Sequence, residues 1–514
     1  MNKTLPTSIL LGLTIACTLG LTTATGQDHD PLLFPKNDST VKSMTVRTSA
    51  GERHVTYRSY VHIPYVAKPV DTDYQSLDVR VPVQVNGVAI DAANAPMLLE
   101  IRVGGYMSVR NAIGSTGVRR PEGARDGRPG RDRGGPPGGS PGGNGIVSSR
   151  PNLALAAGCV VVTPGVRGRD NRAADGTYYG KAPAAIVDLK AAVRYLRHND
   201  AVMPGNADRI VTLGCSAGGA LSALVGASGN SPLYDKYLEA VGAADERDDV
   251  FATACYSPIT DLDHADMSYE WMYGALPTRS GLVDQGLSRQ LIDSNAEYQE
   301  SLGLKGKDGF GPLTADNYRE YLLKYYLVPA ASEFLAGLSP NQRDEYLAAN
   351  RWITWSGGSA RFAFSDYAAH VGRMKGLPAF DDFDMKAPET SLFGDAATNS
   401  RHFTNFSLRH TNGNPNAKID DGLKTVVDMM NAMYFLDRHG SDVAGYWWLR
   451  NGTSDNHNSQ TVMVNMATAL ENRHKDVNAG LFWDGGHCAD GDPEGFINWI
   501  GNVTGAAESA DAAE

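Results

Sequence analysis

Three residues far apart in the chain have the types and surroundings for nucleophilic acyl chemistry: Ser216, Asp455 and His487. Ser216 sits in Gly214-Cys215-Ser216-Ala217-Gly218. In this G-x-S-x-G spacing, glycines let a strand turn sharply into a helix and leave the hydroxyl standing above a sheet edge. A serine alcohol is a weak nucleophile near neutral pH, so it needs an imidazole within hydrogen-bond reach and an acid to orient that imidazole. Flanking residues decide whether the pentapeptide has meaning. Ile210-Val-Thr-Leu213 before it is apolar and β-branched, and Gly219 to Ala227 after it is small and apolar, as a buried helix would be. Gly138-Gly-Ser-Pro-Gly142 has the same spacing but lies in a Gly/Pro/Arg tract with neither element, and is set aside. A tight structural turn is the competing reading of Ser216.

In a sheet built for this chemistry the acid and the base follow late strands, in the chain order Ser, Asp or Glu, His. Asp455 comes after Tyr446-Trp-Trp-Leu-Arg450, and His487 comes after Leu481-Phe-Trp483 across Gly485-Gly486. Of the 12 histidines only His487 follows the last strand; Asp442 and Asp484 are the lesser candidates for the acid. The oxyanion of the transition state needs preorganised donors. These are expected from the backbone N–H of Ala217 and from that of Gly105 or Tyr106, which follow the buried strand Met97 to Val103. Cys215 directly precedes Ser216 and Cys488 directly follows His487. If serine and imidazole meet, the two sulfurs are close enough to bridge, and a disulfide would clamp the pair. Cys159 and Cys255, in strands expected to flank the Ser216 strand, are expected to be buried free thiols.

The elements that must position these groups suggest an α/β-hydrolase fold, a mostly parallel sheet flanked by helices with a large helical cap inserted. Residues 44–256 form its first part. Alternating Leu77, Val79, Val81, Val83 and Val85, then Asn86-Gly87, predict antiparallel strands and a hairpin at one sheet edge, where Pro82 is tolerated. Residues 114–145 are Gly-, Pro- and Arg-rich and predict a mobile loop. Strand and helix patterns alternate from Leu153 to Tyr256, as in a parallel sheet wound with helices. Residues 257–422 are helix-rich, with helices over 287–304, 316–335 (broken at Pro329) and 340–350, and read as the cap. Asp261, Asp263 and Asp266 fit no standard metal loop and read as capping and hydrogen-bonding groups. Residues 423–505 resume the sheet, beginning with a helix over 422–438.

With 514 residues, 42% hydrophobic and a net charge of −11, the chain is of ordinary globular composition, and the acidic balance argues against a nucleic-acid partner. Residues 1–26 read as an export signal, their apolar run too short to span a bilayer. Lipid attachment at Cys17 is the rival. No cofactor and no metal are expected.

The pattern Cys-Ser, Asp, His-Cys resembles that of tannases and feruloyl esterases, serine esterases acting on plant phenolic esters. Further stretches resemble bacterial tannases: Pro164-Gly-Val-Arg-Gly-Arg169, Pro204-Gly-Asn-Ala-Asp-Arg209, Gly214 to Leu221, and Ser257 to Trp271. In such tannases a cap lysine and glutamate, with an acid two residues past the triad aspartate, hold the galloyl hydroxyls. The resemblance places Lys375 and Glu389 in the first two roles; at the third place stands His457, a departure that loosens any inference of strict galloyl preference. The reading implied is a secreted or periplasmic serine carboxylesterase for small phenolic esters, galloyl esters foremost. Feruloyl esters are the alternative; a serine peptidase of the same fold and an inactive polyphenol-binding protein are more distant ones.

Overall fold

The computed structural model describes Met1 and residues 30–111 and 149–506. The expected export signal with Cys17 and the 114–145 insertion lie outside the described residues. The described residues from Leu32 onward form one compact unit.

β1 (Thr40–Thr48), β2 (Gly51–Pro64) and β3 (Ser76–Val85) are antiparallel, and β3 turns back into the short β4 (Val88–Ala89). The turn residues Asn86 and Gly87 have φ of 50° and 86°, as a type I′ hairpin requires. Four strands follow: β5 (Pro96–Ile101), β6 (Val160–Pro164), β7 (Asn206–Cys215) and β8 (Ala252–Tyr256). β9 (Lys305–Gly306) with β10 (Gly311–Pro312), and β11 (Thr354–Ser356) with β12 (Ser359–Arg361), make two separate small hairpins. β13 (Tyr446–Gly452) and β14 (Asp476–Phe482) return to the main sheet. Its order is β1-β2-β3-β6-β5-β7-β8-β13-β14, antiparallel up to the β3–β6 pair and parallel beyond it. β6 and β8 are buried along their whole length, which is why they read as unbroken apolar runs rather than alternating ones.

Helices α1 (Arg150–Ala156), α2 (Ala184–His198), α3 (Ala217–Ala227) and α4 (Asp235–Val241) accompany the first part of the sheet. Between β8 and β13 come α5 (Leu262–Tyr273), α6 (Gln285–Ser301), α7 (Tyr318–Leu322), α8 (Val328–Gly337), α9 (Pro340–Ala349), α10 (Phe364–Val371), α11 (Pro388–Leu392), α12 (Asn405–Asn412), α13 (Asp421–Met429) and α14 (Ala432–Asp437). α15 (Gln460–Asn472) joins β13 to β14, and α16 (Pro493–Thr504) follows. One apolar core runs through sheet and helical region alike, from Val162 and Leu221 to Tyr273, Leu327 and Phe380.

Four expectations are corrected. Pro82 is on the third strand from the sheet end, not its edge; it is accommodated at a register shift against Tyr57, beyond the stretch of β3 that bonds β6. Pro329 does not break its helix. A π-helical turn over Leu323–Leu327 widens the chain just before α8, where proline has no N–H to donate, and the helix continues. The helix expected over 422–438 is two helices, because the Asn431 side chain accepts the Met433 N–H at 2.8 Å and starts α14 afresh. Cys159 does not neighbour the Ser216 strand: it leads into β6, which β5 separates from β7. Cys159 and Cys255 are both buried and free, and burial pushes each thiol up to about 12.

Candidate active site

Ser216 links β7 to α3 with φ 61° and ψ −125°, a backbone state that a non-glycine residue adopts only when its surroundings enforce it. Glycines make the bend possible. Gly214 and Gly218 approach each other too closely for a Cβ, and a Cβ on Gly218 would also lie 2.7 Å from the Ile101 carbonyl. The elbow is tied to the chain just after β8. The Ser216 N–H donates to the Tyr256 carbonyl at 3.0 Å, and the Ile259 N–H donates to the Ser216 carbonyl at 3.2 Å.

Above this bend His487 Nε2 lies 2.9 Å from Ser216 Oγ, and Nδ1 lies 2.9 Å from Asp455 Oδ2. The second carboxylate oxygen of Asp455 accepts the His457 N–H at 3.0 Å. Loops after β13 and β14 carry the acid and the base and lie against one another: Gly452 packs on the Gly485 backbone, and the Ser454 N–H donates to the Gly485 carbonyl at 2.9 Å. Cys215 and Cys488 form a disulfide with Cα atoms 5.8 Å apart. Burial pushes the Asp455 carboxyl up, but its hydrogen bond to His487 and that group's charge pull harder and leave it below the ordinary range. Asp455 is therefore an acceptor, as an orienting acid must be. The lesser candidates stand elsewhere: Asp442 accepts from Asn230, and Asp484 from Tyr346 and His370.

The chain leaving β5, which carries the expected oxyanion donors Gly105 and Tyr106, docks on the elbow. Gly218 donates its N–H to the Val103 carbonyl at 2.8 Å, docking the start of α3 on the chain leaving β5. Beyond Val103 a turn closes with the Met107 N–H on the Gly104 carbonyl, and Gly105 and Tyr106 inside it both take positive φ, 54° and 57°. The Tyr106 phenol donates to the Ile259 carbonyl at 2.7 Å. Among the described residues, the backbone N–H groups of Gly105, Tyr106 and Ala217 meet no acceptor.

Lys375, Glu389 and His457 are brought to the same region by separate elements. The Lys375 N–H donates to the Tyr269 hydroxyl at 3.0 Å, and that hydroxyl donates to the Asn456 carbonyl beside His457 at 3.1 Å. Burial lowers the Lys375 ammonium, while the charges of Glu389, Asp266 and Asp455 hold it up. Glu389, on α11, is raised by burial, with Lys375 and Arg169 opposing. Each feels the other's charge, yet among the described residues the two form no direct ion pair. The Lys375 ammonium lies instead over the Phe380 ring, 3.3 Å from its centroid, and the Glu389 carboxyl is buried.

Two groups bring three metal-ligating side chains within 4.8 Å of one another, Asp455/His457/His487 and Asp261/Asp263/His264. In the first, His487 already bonds Asp455 through one ring nitrogen and Ser216 through the other. In the second, Asp261 accepts from His264 at 2.8 Å, from the Tyr298 hydroxyl at 2.6 Å and from Asn431 at 2.8 Å, and so acts as a hydrogen-bonding hub of the helical region. Asp266 accepts the Phe380 N–H at 2.7 Å. Ser257 is a positioning residue to which sequence reading assigned no role: its hydroxyl donates to Asn451 Oδ1 at 2.8 Å and accepts the Cys488 N–H at 3.0 Å, bracing the His487 loop. Its place directly after β8 was the available signal.

Comparison with known proteins gives one consistent picture. The BD-FAE family, which is feruloyl-esterase-like, matches residues 172–290. The esterase LipQ of Mycobacterium tuberculosis is 38% identical over 90 residues, which are 18% of this chain and 20% of that protein. Among solved structures, the tannase of Fusobacterium nucleatum is 34% identical with a TM-score of 0.77, covering 93% of this chain and 100% of its own. The tannin acyl hydrolase of Lactobacillus plantarum is 30% identical with a TM-score of 0.75, covering 92% and 99%. A tannin acyl hydrolase solved in complex with ethyl gallate matches with the same identity, TM-score and coverage.

Proposed function

The chain belongs to the bacterial tannases, ester hydrolases of the α/β-hydrolase fold, and from that premise we propose that it is an exported serine esterase that cleaves galloyl esters through Ser216, His487 and Asp455. The observation that carries this reading is the unbroken chain of hydrogen bonds from Ser216 Oγ through the imidazole to Asp455, 2.9 Å at each step. Ser216 Oγ adds to the ester carbonyl carbon as its proton passes to His487 Nε2. Asp455 holds the imidazole by Nδ1 and stabilises the imidazolium. The N–H of Ala217 and one from Gly105 or Tyr106 receive the oxyanion. As the ester C–O bond breaks, His487 returns the proton to the departing alcohol. Water then repeats the sequence on the acyl-serine and releases the acid.

Lys375, Glu389 and His457 are assigned to the acyl ring's hydroxyls. Support comes from Lys375 and Glu389, each within reach of the other's charge without an ion pair between them among the described residues, and from the relative solved in complex with ethyl gallate. The BD-FAE match and a histidine in place of an acid at position 457 favour feruloyl esters as the second reading. Export is part of the same proposal, supported by the Cys215–Cys488 disulfide, since such bonds persist in oxidising compartments. Ser216→Ala is the test: methyl gallate hydrolysis should vanish, and its retention would end the scheme. Initial rates on methyl gallate, methyl protocatechuate and methyl ferulate then rank the acyl groups.

A further inference from the structure

Residues 164–169, Pro-Gly-Val-Arg-Gly-Arg, have no part in the scheme above, yet the last of them grips the turn that carries the oxyanion donors. Arg169 donates its main-chain N–H to the Tyr106 carbonyl at 2.9 Å and its side-chain Nε to the Gly105 carbonyl at 2.7 Å. The segment is anchored from behind as well. Lys181 Nζ donates to the Arg169 carbonyl at 2.8 Å and, in the same cluster, to Asn399 and Ser391. Gly168, just before Arg169, rests on the main chain of Ser108 with no room for a Cβ. The guanidinium makes no ion pair among the described residues, and Asp170 and Glu389 act on it only at longer range. Its charge is therefore available to the peptide it touches.

That peptide matters because the Gly105 carbonyl and the Tyr106 N–H are the two ends of one trans unit, and the ends point in opposite directions. A cation bonded to the oxygen draws electron density out of the amide nitrogen, so the N–H at the far end becomes a stronger donor. The same bond fixes which way the unit faces. Tyr106 also keeps a positive φ of 57° that a tyrosine would leave without such restraint.

We propose that Arg169 is a positioning residue of the oxyanion hole: it orients and polarises the Gly105–Tyr106 peptide, so that the Tyr106 N–H is the second donor beside that of Ala217. The inference rests on the serine-esterase reading and chooses between the two donors that reading leaves open. A rival role is available, since Arg169 also feels Glu389 and could serve the acyl ring through it.

The test compares Arg169→Met and Arg169→Lys on methyl gallate and on p-nitrophenyl acetate, whose acyl group has no phenol for Glu389 to meet. Rates are normalised to active sites titrated with a fluorophosphonate, and melting midpoints are recorded alongside. Arg169→Met should lower kcat on both esters by a similar factor, about 10- to 100-fold, less than the loss of a whole oxyanion donor, with KM moving less than about threefold. Arg169→Lys, which restores the cation, should recover most of that loss; a fold damaged merely by losing the long side chain would show equal melting shifts without this rescue. Loss on methyl gallate alone would hand Arg169 to the acyl ring and overturn the proposal, as would a change confined to KM or an undiminished kcat in Arg169→Met. Activity surviving in Ser216→Ala would instead overturn the serine-esterase reading, so the two failures are separable.

Discussion

The imidazole of His457 lies face to face with that of His487, ring centroids 4.1 Å apart and planes 14° from parallel. Burial holds His457 below the ordinary histidine range, the His487 and Lys375 charges push it the same way, and Asp455 opposes them. At neutral pH His487 is therefore stacked on an uncharged ring. His457→Asp would set a carboxylate there and favour the imidazolium form of His487. The acid limb of the kcat/KM profile should then move to higher pH, by about 0.5 to 1 unit, while His457→Gln leaves it in place. An unmoved limb in the aspartate variant would show that position 457 is electrostatically remote from the base.

Lys375→Ala and Glu389→Ala should each raise KM for methyl gallate about 10-fold or more, the loss expected when a ligand hydroxyl's hydrogen bond to a charged partner is removed. The same variants should leave p-nitrophenyl acetate within about twofold. Equal effects on both esters would make these residues structural rather than ring-binding.

The disulfide joins residues 273 apart in sequence. On the chain-entropy model its loss from Cys215→Ser/Cys488→Ser would cost roughly 5 kcal/mol. Because the sulfurs adjoin Ser216 and His487, kcat should fall at temperatures where circular dichroism still reports a folded chain. Rates and CD followed together during dithiothreitol titration would show loss of activity preceding unfolding; simultaneous loss would leave the bond a purely global staple.

His264, stacked on Tyr298 with centroids 3.8 Å apart, is a stability switch at the opposite end of the pH scale. Burial would lower it, but Asp263 and Asp261 overcome this and raise it to about 9. A group raised above its unfolded value of about 6.5 stabilises fully below that value and loses its contribution as pH climbs through the folded one. Melting midpoints of the native chain and His264→Gln should therefore differ most near pH 6 and converge by about pH 10. A gap that stays constant across that range would remove the ion cluster from the stability account.

Much of this site was legible in the sequence because its signals are local. The glycines around Ser216 record a bend that only glycines permit, and the order serine, acid, histidine records which strands end beneath the site. The hairpin at Asn86-Gly87 was legible for the same reason, since its φ angles belong to two neighbouring residues. Pro82 and Pro329 were misread because tolerance of a proline depends on partners. A register shift opposite Tyr57 and a π-turn before Val328 absorb the missing N–H groups, and neither can be seen from the proline itself.

Contacts across long sequence separations were decided only by tertiary structure. It is sheet order that carries β13 and β14 beside β8, sets Asp455 and His487 over Ser216 and rests His457 on the base. It likewise brings Arg169 round to the Gly105 carbonyl, 64 residues away. Residue types name the chemistry a chain is capable of, because that is a property of side chains. Which peptide bond receives a cation, and which oxygen of an aspartate is already taken, are properties of packing, fixed only when distant segments are buried together.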